Sequence, residues 1–191
     1  MTLDLTPAAQ EMGRVALAIT DDQLTGPTPC PGYDVGGLLA HVLGLAVAFR
    51  DAGRKKLGAT TDTAPEPGAA ELPPGWRDEV GPRLDALADA WRPPEAWEGM
   101  TQAGGVTLPG EVAGQVALNE IVIHGWDLAR ATGQAFSADE ASAQASYEFC
   151  AATTDDERDG SLFGPVVPVP PDAPLLDRAI GMAGRNPHWT P

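Results

Sequence analysis

Cysteine, basic residues and long apolar runs are all scarce in this chain. Two cysteines, Cys30 and Cys150, in 191 residues cannot build a disulfide framework, so reduced thiols are expected. Lys and Arg number 12 against 27 acidic residues, for a formal net charge of -15. That balance argues against nucleic acid or an anionic membrane surface as a partner, because both require basic patches. No run of about 18 apolar residues stands out, so no membrane-spanning helix is expected. The opening MTLDLTPAAQ lacks a basic stretch followed by an apolar one; no secretory signal is read there, and a cytoplasmic location is expected. Chemical signatures are missing as well. There is no HExxH, no G-x-S-x-G, no P-loop and no Rossmann glycine pattern, which removes the support for zincin metalloproteases, α/β-hydrolases and nucleotide-binding folds. Neither strand alternation nor an internal repeat is evident.

What remains is helical. Thr6-Pro7 reads as an N-cap followed by proline in the first turn, with Ala8, Met12, Val15 and Ile19 at helical spacing, so a helix is expected over residues 7–20. LTGPTPCPGYD is a rigid loop. Asp34 caps a second helix carrying Val35, Leu38, Leu39, Val42, Leu45, Ala46 and Phe49, and ending by Gly53. Residues 58–75 are a polar, proline-rich link. A third helix covers residues 76–91, its regular part expected to start late because of Pro82. A fourth runs over 110–132 and stops at Gly133, and Ser137 is expected to cap a fifth over 138–152. DDERDG reads as a solvated turn, FGPVVPVPPDAP as an extended wrapping segment, and residues 174–184 as a short closing helix. Helices joined by loops with no sheet imply an all-α fold, a helical bundle formed by one domain spanning 1–191.

The fourth helix carries the chemistry. Glu120 and His124 are four residues apart and share a face; Asp127 lies three further on. Ala113, Ala117 and Ala131 on the same stripe leave room beside them. On the second helix His41 follows Leu38 by three and precedes Leu45 by four, so it points where the core leucines point. A carboxylate and two imidazoles inside a bundle are costly unless paired or coordinated. A divalent metal held by His41, Glu120 and His124 resolves that cost and leaves a coordination place open. Zinc is the preferred ion; nickel, iron and manganese also suit the set. Asp127 is then an acceptor that orients the site from behind rather than a fourth ligand. Spacing alone also fits an ordinary Glu–His pair and a core histidine bonded to backbone, and those readings are the commoner ones. Cys30 reads as packing at the mouth of the second helix, with a redox or ligand thiol as the alternative; Cys150 reads as core, Trp76, Trp91, Trp97 and Trp126 as packing, and His188 as an exposed tail residue. Arg130 is either a surface group or a partner for an anionic substrate.

TPCPGYDVGGLLAHVLG and, far downstream, NEIVIHGWDLARATGQ resemble the DinB-like superfamily. The nearest likeness is the actinobacterial branch that shares the metal-binding N-terminal domain of mycothiol-dependent maleylpyruvate isomerase, whose short members also resemble the tail FGPVVPVPPDAPLLDRAIGMAGRNP. The resemblance implies a DinB-like four-helix bundle with an open divalent-metal site. Its ligands fall on His41, Glu120 and His124. It further implies a low-molecular-weight thiol, mycothiol, as cosubstrate, held as thiolate by the metal and directed at an electrophilic small molecule in S-transfer or isomerisation. A departure accompanies it: the isomerase carries an additional C-terminal domain, which this chain does not reach, and that weighs against activity on maleylpyruvate itself. A non-catalytic metal-binding bundle, with a role in stability, sensing or ligand binding, is the alternative. A homodimer is a further expectation, since the apolar fraction exceeds what one small core needs to hide.

Overall fold

A computed structural model describes residues 2–64, 71–154, 158 and 163–191. Its helices are α1 (Thr6–Leu17), α2 (Val35–Gly53), α3 (Trp76–Ala90), the single turn α4 (Pro94–Trp97), α5 (Gly110–Ala131), α6 (Glu140–Ala151) and α7 (Leu175–Met182). Four of them form the bundle. α2 packs on α3 and α5, and α1 packs on the same two, so α1 and α2 lie diagonally opposite. α6 covers the outer side of α5, and α7 packs on α6. This leaves α5 enclosed on several sides. From Ala117 to Ala129 every residue is buried except Glu120, as the nearly all-round apolar pattern of this helix requires.

The helices follow from local chemistry, with corrections at their ends. Asp34 accepts from the Gly37 amide at 2.7 Å and caps α2 as expected. α1 begins at Thr6, whose amide donates to Asp4 Oδ1, and ends at Leu17 rather than residue 20. α3 is regular from Trp76 on, with Pro82 inside it. α6 is capped by Asp139, which accepts from the Ser142 amide at 3.1 Å, and not by Ser137, whose own amide donates to Glu11. Both residues are good caps, and the contact with Glu11 of α1 takes Ser137 for another purpose.

One further expectation, the absence of any sheet, is corrected. A short antiparallel hairpin joins β1 (Met100–Ala103) to β2 (Val106–Pro109) through Gly104 and Gly105, both at positive φ. Four-residue strands are too short for alternation to register, although the Gly-Gly pair is itself a hairpin signal. The hairpin is moored by Thr101, whose hydroxyl donates to the Ala52 carbonyl at 2.6 Å. Among the described residues only α2 is long and apolar enough to cross a membrane, by length and composition alone. Its packing against α3 and α5 shows why a central core helix passes the same test. The DDERDG segment lies outside the described residues, Arg158 excepted. The side chain of Arg158 donates to the carbonyls of Cys150 and Met182, which ties the ends of α6 and α7 together.

Candidate metal centre

The α2–α5 contact places His41 opposite Glu120 and His124. One donor atom from each of the three lies within 4.8 Å of the other two. Glu120 Oε2 is 3.0 Å from His124 Nε2 and 3.7 Å from His41 Nε2. The imidazoles meet nearly edge to face, their centroids 5.3 Å apart. All three side chains are largely buried, Glu120 the most exposed at 17%.

Behind each imidazole stands a partner for its other nitrogen. His124 Nδ1 is 3.1 Å from Asp127 Oδ2, and His41 Nδ1 is 3.5 Å from the Tyr33 hydroxyl. Asp127 is wholly buried and also accepts from Arg185 Nη2 at 3.3 Å. The loop before α2 brings Tyr33 and Cys30 here. Thr28 Oγ1 donates to the Cys30 and Tyr33 carbonyls and accepts from the Cys30 amide, which folds the proline-rich loop back on itself. Cys30 is buried, as a packing residue would be, and its Sγ accepts from Arg185 at 3.3 Å.

Electrostatics bind the cluster. Burial alone would push the Glu120 carboxyl up, but the imidazoles, His124 foremost, outweigh it and hold it well below the usual carboxylate range. Burial likewise opposes a charge on His124, yet Glu120 and Asp127 raise its pKa well above the ordinary histidine value. Burial pushes the Tyr33 hydroxyl up, so Tyr33 stays a neutral phenol.

The donor set suits a divalent cation. With bonds of about 2.0–2.1 Å, tetrahedral ligand atoms sit about 3.3 Å apart, and the separations of 3.0 and 3.7 Å to Glu120 Oε2 bracket that value. Nδ1 of each ring is engaged from behind, which turns Nε2 toward the carboxylate; a cation there would displace the proton that His124 holds at Nε2 and find the ring already oriented. Two hollows flank the cluster. An apolar crevice lined by Leu45, Phe49, Leu87 and Ile121, too narrow to admit a water molecule, reaches Glu120. A more open one of about 380 Å³, lined by Tyr33, Asp34 and Glu71 among others, abuts the site through Tyr33.

The four residues singled out by spacing, His41, Glu120, His124 and Asp127, thus come together. His188 is exposed and takes no part. Arg130 donates to the Pro187 carbonyl at 2.8 Å and lies over the Trp126 ring, so it fastens the C-terminal segment instead of waiting for a substrate. Sequence reasoning missed Tyr33 and Arg185. The first precedes the cap Asp34 and has no helical phase relation to His41; the second lies 58 residues from Asp127. Only the Gly184-Arg185 pair after a short helix hints that the chain turns there.

Comparison with known proteins agrees with this architecture. An uncharacterised protein of Mycobacterium tuberculosis, MT0763 in strain CDC 1551 and Rv0738 in strain H37Rv, is 31% identical over 185 residues, 93% of this chain and 94% of that protein. Two crystal structures of the mycothiol-dependent maleylpyruvate isomerase, one of them a histidine-to-alanine mutant, share the fold. Their TM-scores are 0.55 and 0.58 at 19% and 18% identity, over 77% of this chain and 68% of theirs. Residues 5–129, which carry the bundle and every donor of the triad, match the mycothiol maleylpyruvate isomerase N-terminal domain, and the chain belongs to that family.

Proposed function

We propose that this protein binds a divalent metal through His41, Glu120 and His124 and uses it with a low-molecular-weight thiol of the mycothiol type, in S-transfer to an electrophile or in isomerisation through a thiol adduct. The observation that carries the reading is the convergence of two imidazoles and one carboxylate, each ring held from behind, in a member of a mycothiol-associated family. A bound cation supplies one thing: it holds a coordinated thiol as its thiolate at neutral pH. The chain does the rest. His41 and His124 would hold the cation through Nε2, the His124 proton leaving as the cation enters, and Glu120 would add a negative charge that offsets part of the cation's. Asp127 accepts from Nδ1–H of His124 and fixes its tautomer. Tyr33, a neutral phenol, steadies His41. The apolar crevice beside Glu120 keeps water from that flank. Zinc fits best, since two nitrogens and one oxygen with an open fourth place is a common catalytic zinc set; nickel, iron and manganese are the other candidates. The reading places the protein in the cytoplasm, with the thiol.

The test has two stages. Metal content of untagged protein is compared between wild type and Glu120→Ala; about one equivalent falling to none supports the ligand set, and equal content in both refutes it. Metal-loaded protein is then supplied with mycothiol and an electrophile (chlorodinitrobenzene, bimane or maleylpyruvate). Thiol consumption above background supports an enzyme. Background rates with all of them, together with a melting temperature that drops on chelation, favour a non-catalytic metal-binding bundle instead.

A further inference from the structure

Two donor triads share His124. Besides His41, Glu120 and His124, the atoms of Cys30, His124 and Asp127 also lie within 4.8 Å of one another. The second triad already holds a positive charge. Nη2 of Arg185 donates to Asp127 Oδ2 and to Cys30 Sγ, both at 3.3 Å. Arg185 is 8% exposed and Asp127 fully buried, so the pair is desolvated, and loss of the guanidinium leaves the Asp127 charge to be offset through His124.

The chain is shaped to deliver this side chain. α7 ends in a Schellman motif: the Arg185 amide donates to the Ile180 carbonyl and the Gly184 amide to the Gly181 carbonyl, both at 3.0 Å. Gly184 takes φ +79°, and Arg185 is the residue that follows it. Its Nη1 donates to the Ala183 carbonyl at 2.9 Å, and Arg130 pins Pro187 to α5 just beyond.

We infer that Arg185 is a positioning residue of the metal centre: it holds Asp127 against His124 and fills the Cys30–Asp127 side, so that only the His41, Glu120 and His124 triad is open to a cation. The inference rests on the metal reading above. It gives the C-terminal segment, beyond residue 129 where the family match ends, a part in the site. Without the guanidinium, the Cys30 thiol, the His124 imidazole and an Asp127 carboxylate that keeps its contact with His124 face one another, a donor set that suits zinc.

Zinc and cobalt binding to the full chain test this, in wild type, Arg185→Met, Arg185→Lys and Arg185→Met combined with Cys30→Ser. Wild type is expected to take one zinc. Arg185→Met should bind that zinc about 10–100-fold more weakly, the usual cost of losing a partner behind a ligand. It should also take a second equivalent, His124 then bridging the two ions as an imidazolate with its Nδ1 proton and the Cys30 thiol proton released to solvent, and show a thiolate-to-cobalt absorption band that Cys30→Ser abolishes. Arg185→Lys should stay at one zinc with intermediate affinity, a rescue by charge that a merely structural role does not require. Wild-type affinity in folded Arg185→Met overturns the positioning role, and a single equivalent there overturns the filling role. Should Arg185→Met fail to fold, unchanged zinc affinity in Arg185→Lys overturns the inference. A wild-type protein that binds no zinc sinks the metal reading and this inference together.

Discussion

At the scale of single residues, the buried polar groups divide by whether a partner offsets their desolvation. Glu120, His124 and Asp127 have one another, and Arg185 closes the chain of charges. Cys150 stands alone in the opposite sense. Burial pushes its thiol up to about 12, and the nearby charges of Arg158 and Arg185 do not reverse this. Its Sγ donates to Asn119 Oδ1 at 3.3 Å. The thiol therefore has almost no thiolate at pH 8 and is inert. Mass spectrometry after iodoacetamide treatment should find Cys150 unlabelled in native protein and labelled in urea; rapid native labelling would contradict the burial argument.

At the scale of elements, the ends of helices decide where the site's supports arrive. Gly133 closes α5 and Gly184 closes α7, each at positive φ one residue past the cap. A Cβ at Gly184 meets the Gly164 backbone at 3.0 Å, in addition to the left-handed penalty. Gly184→Ala is therefore expected to cost at least about 1–2 kcal/mol, which is a drop of about 2–8 °C in melting temperature for a chain of this size. Differential scanning calorimetry reads this directly, and an unchanged midpoint would mean that α7 ends differently. The helices themselves were legible from the chain, because apolar residues at i, i+3 and i+4 mark a buried face wherever it packs. The hairpin at Met100–Pro109 was not: its four-residue strands are held by the Gly-Gly turn and by Thr101 reaching Ala52, and the latter is a contact made only on folding. The cap of α6 was misplaced as well: Ser137 was expected, but the helix starts at Glu140 and Asp139 takes the position.

At the scale of the whole molecule, pH and metal are the levers. Asp51, buried at the end of α2, accepts from Arg50 and from the Thr60 hydroxyl at 2.8 Å, and so ties the following loop to the helix. Burial would raise its pKa, but these donors outweigh it and hold it below the ordinary 3.8. A carboxyl lowered on folding stabilises fully above its unfolded value and loses that contribution as pH falls through the folded one. Thermal melts from pH 6 downward should thus show wild type losing stability below about pH 4. Asp51→Asn should melt lower at pH 7 and depend less on acid; equal acid dependence would count against this anchor. A metal bound as proposed at His41, Glu120 and His124 would act by mass action. At a free concentration about 100 times its dissociation constant, zinc is then expected to add about 2.7 kcal/mol, or about 5–11 °C. Chelation should reverse that in wild type and leave Glu120→Ala unmoved.

Periodicity was enough to recover the helical bundle, the stripe of Glu120, His124 and Asp127, and the inward aim of His41, because each depends on residues one or two turns apart. Distance along the chain hid the remainder. That α2 lies against α5, that the loop at Cys30 and Tyr33 folds onto the site, and that Arg185 reaches Asp127 across 58 residues are matters of packing between remote segments. Such contacts form because buried charges need partners, and a linear pattern does not say which distant residue will supply one.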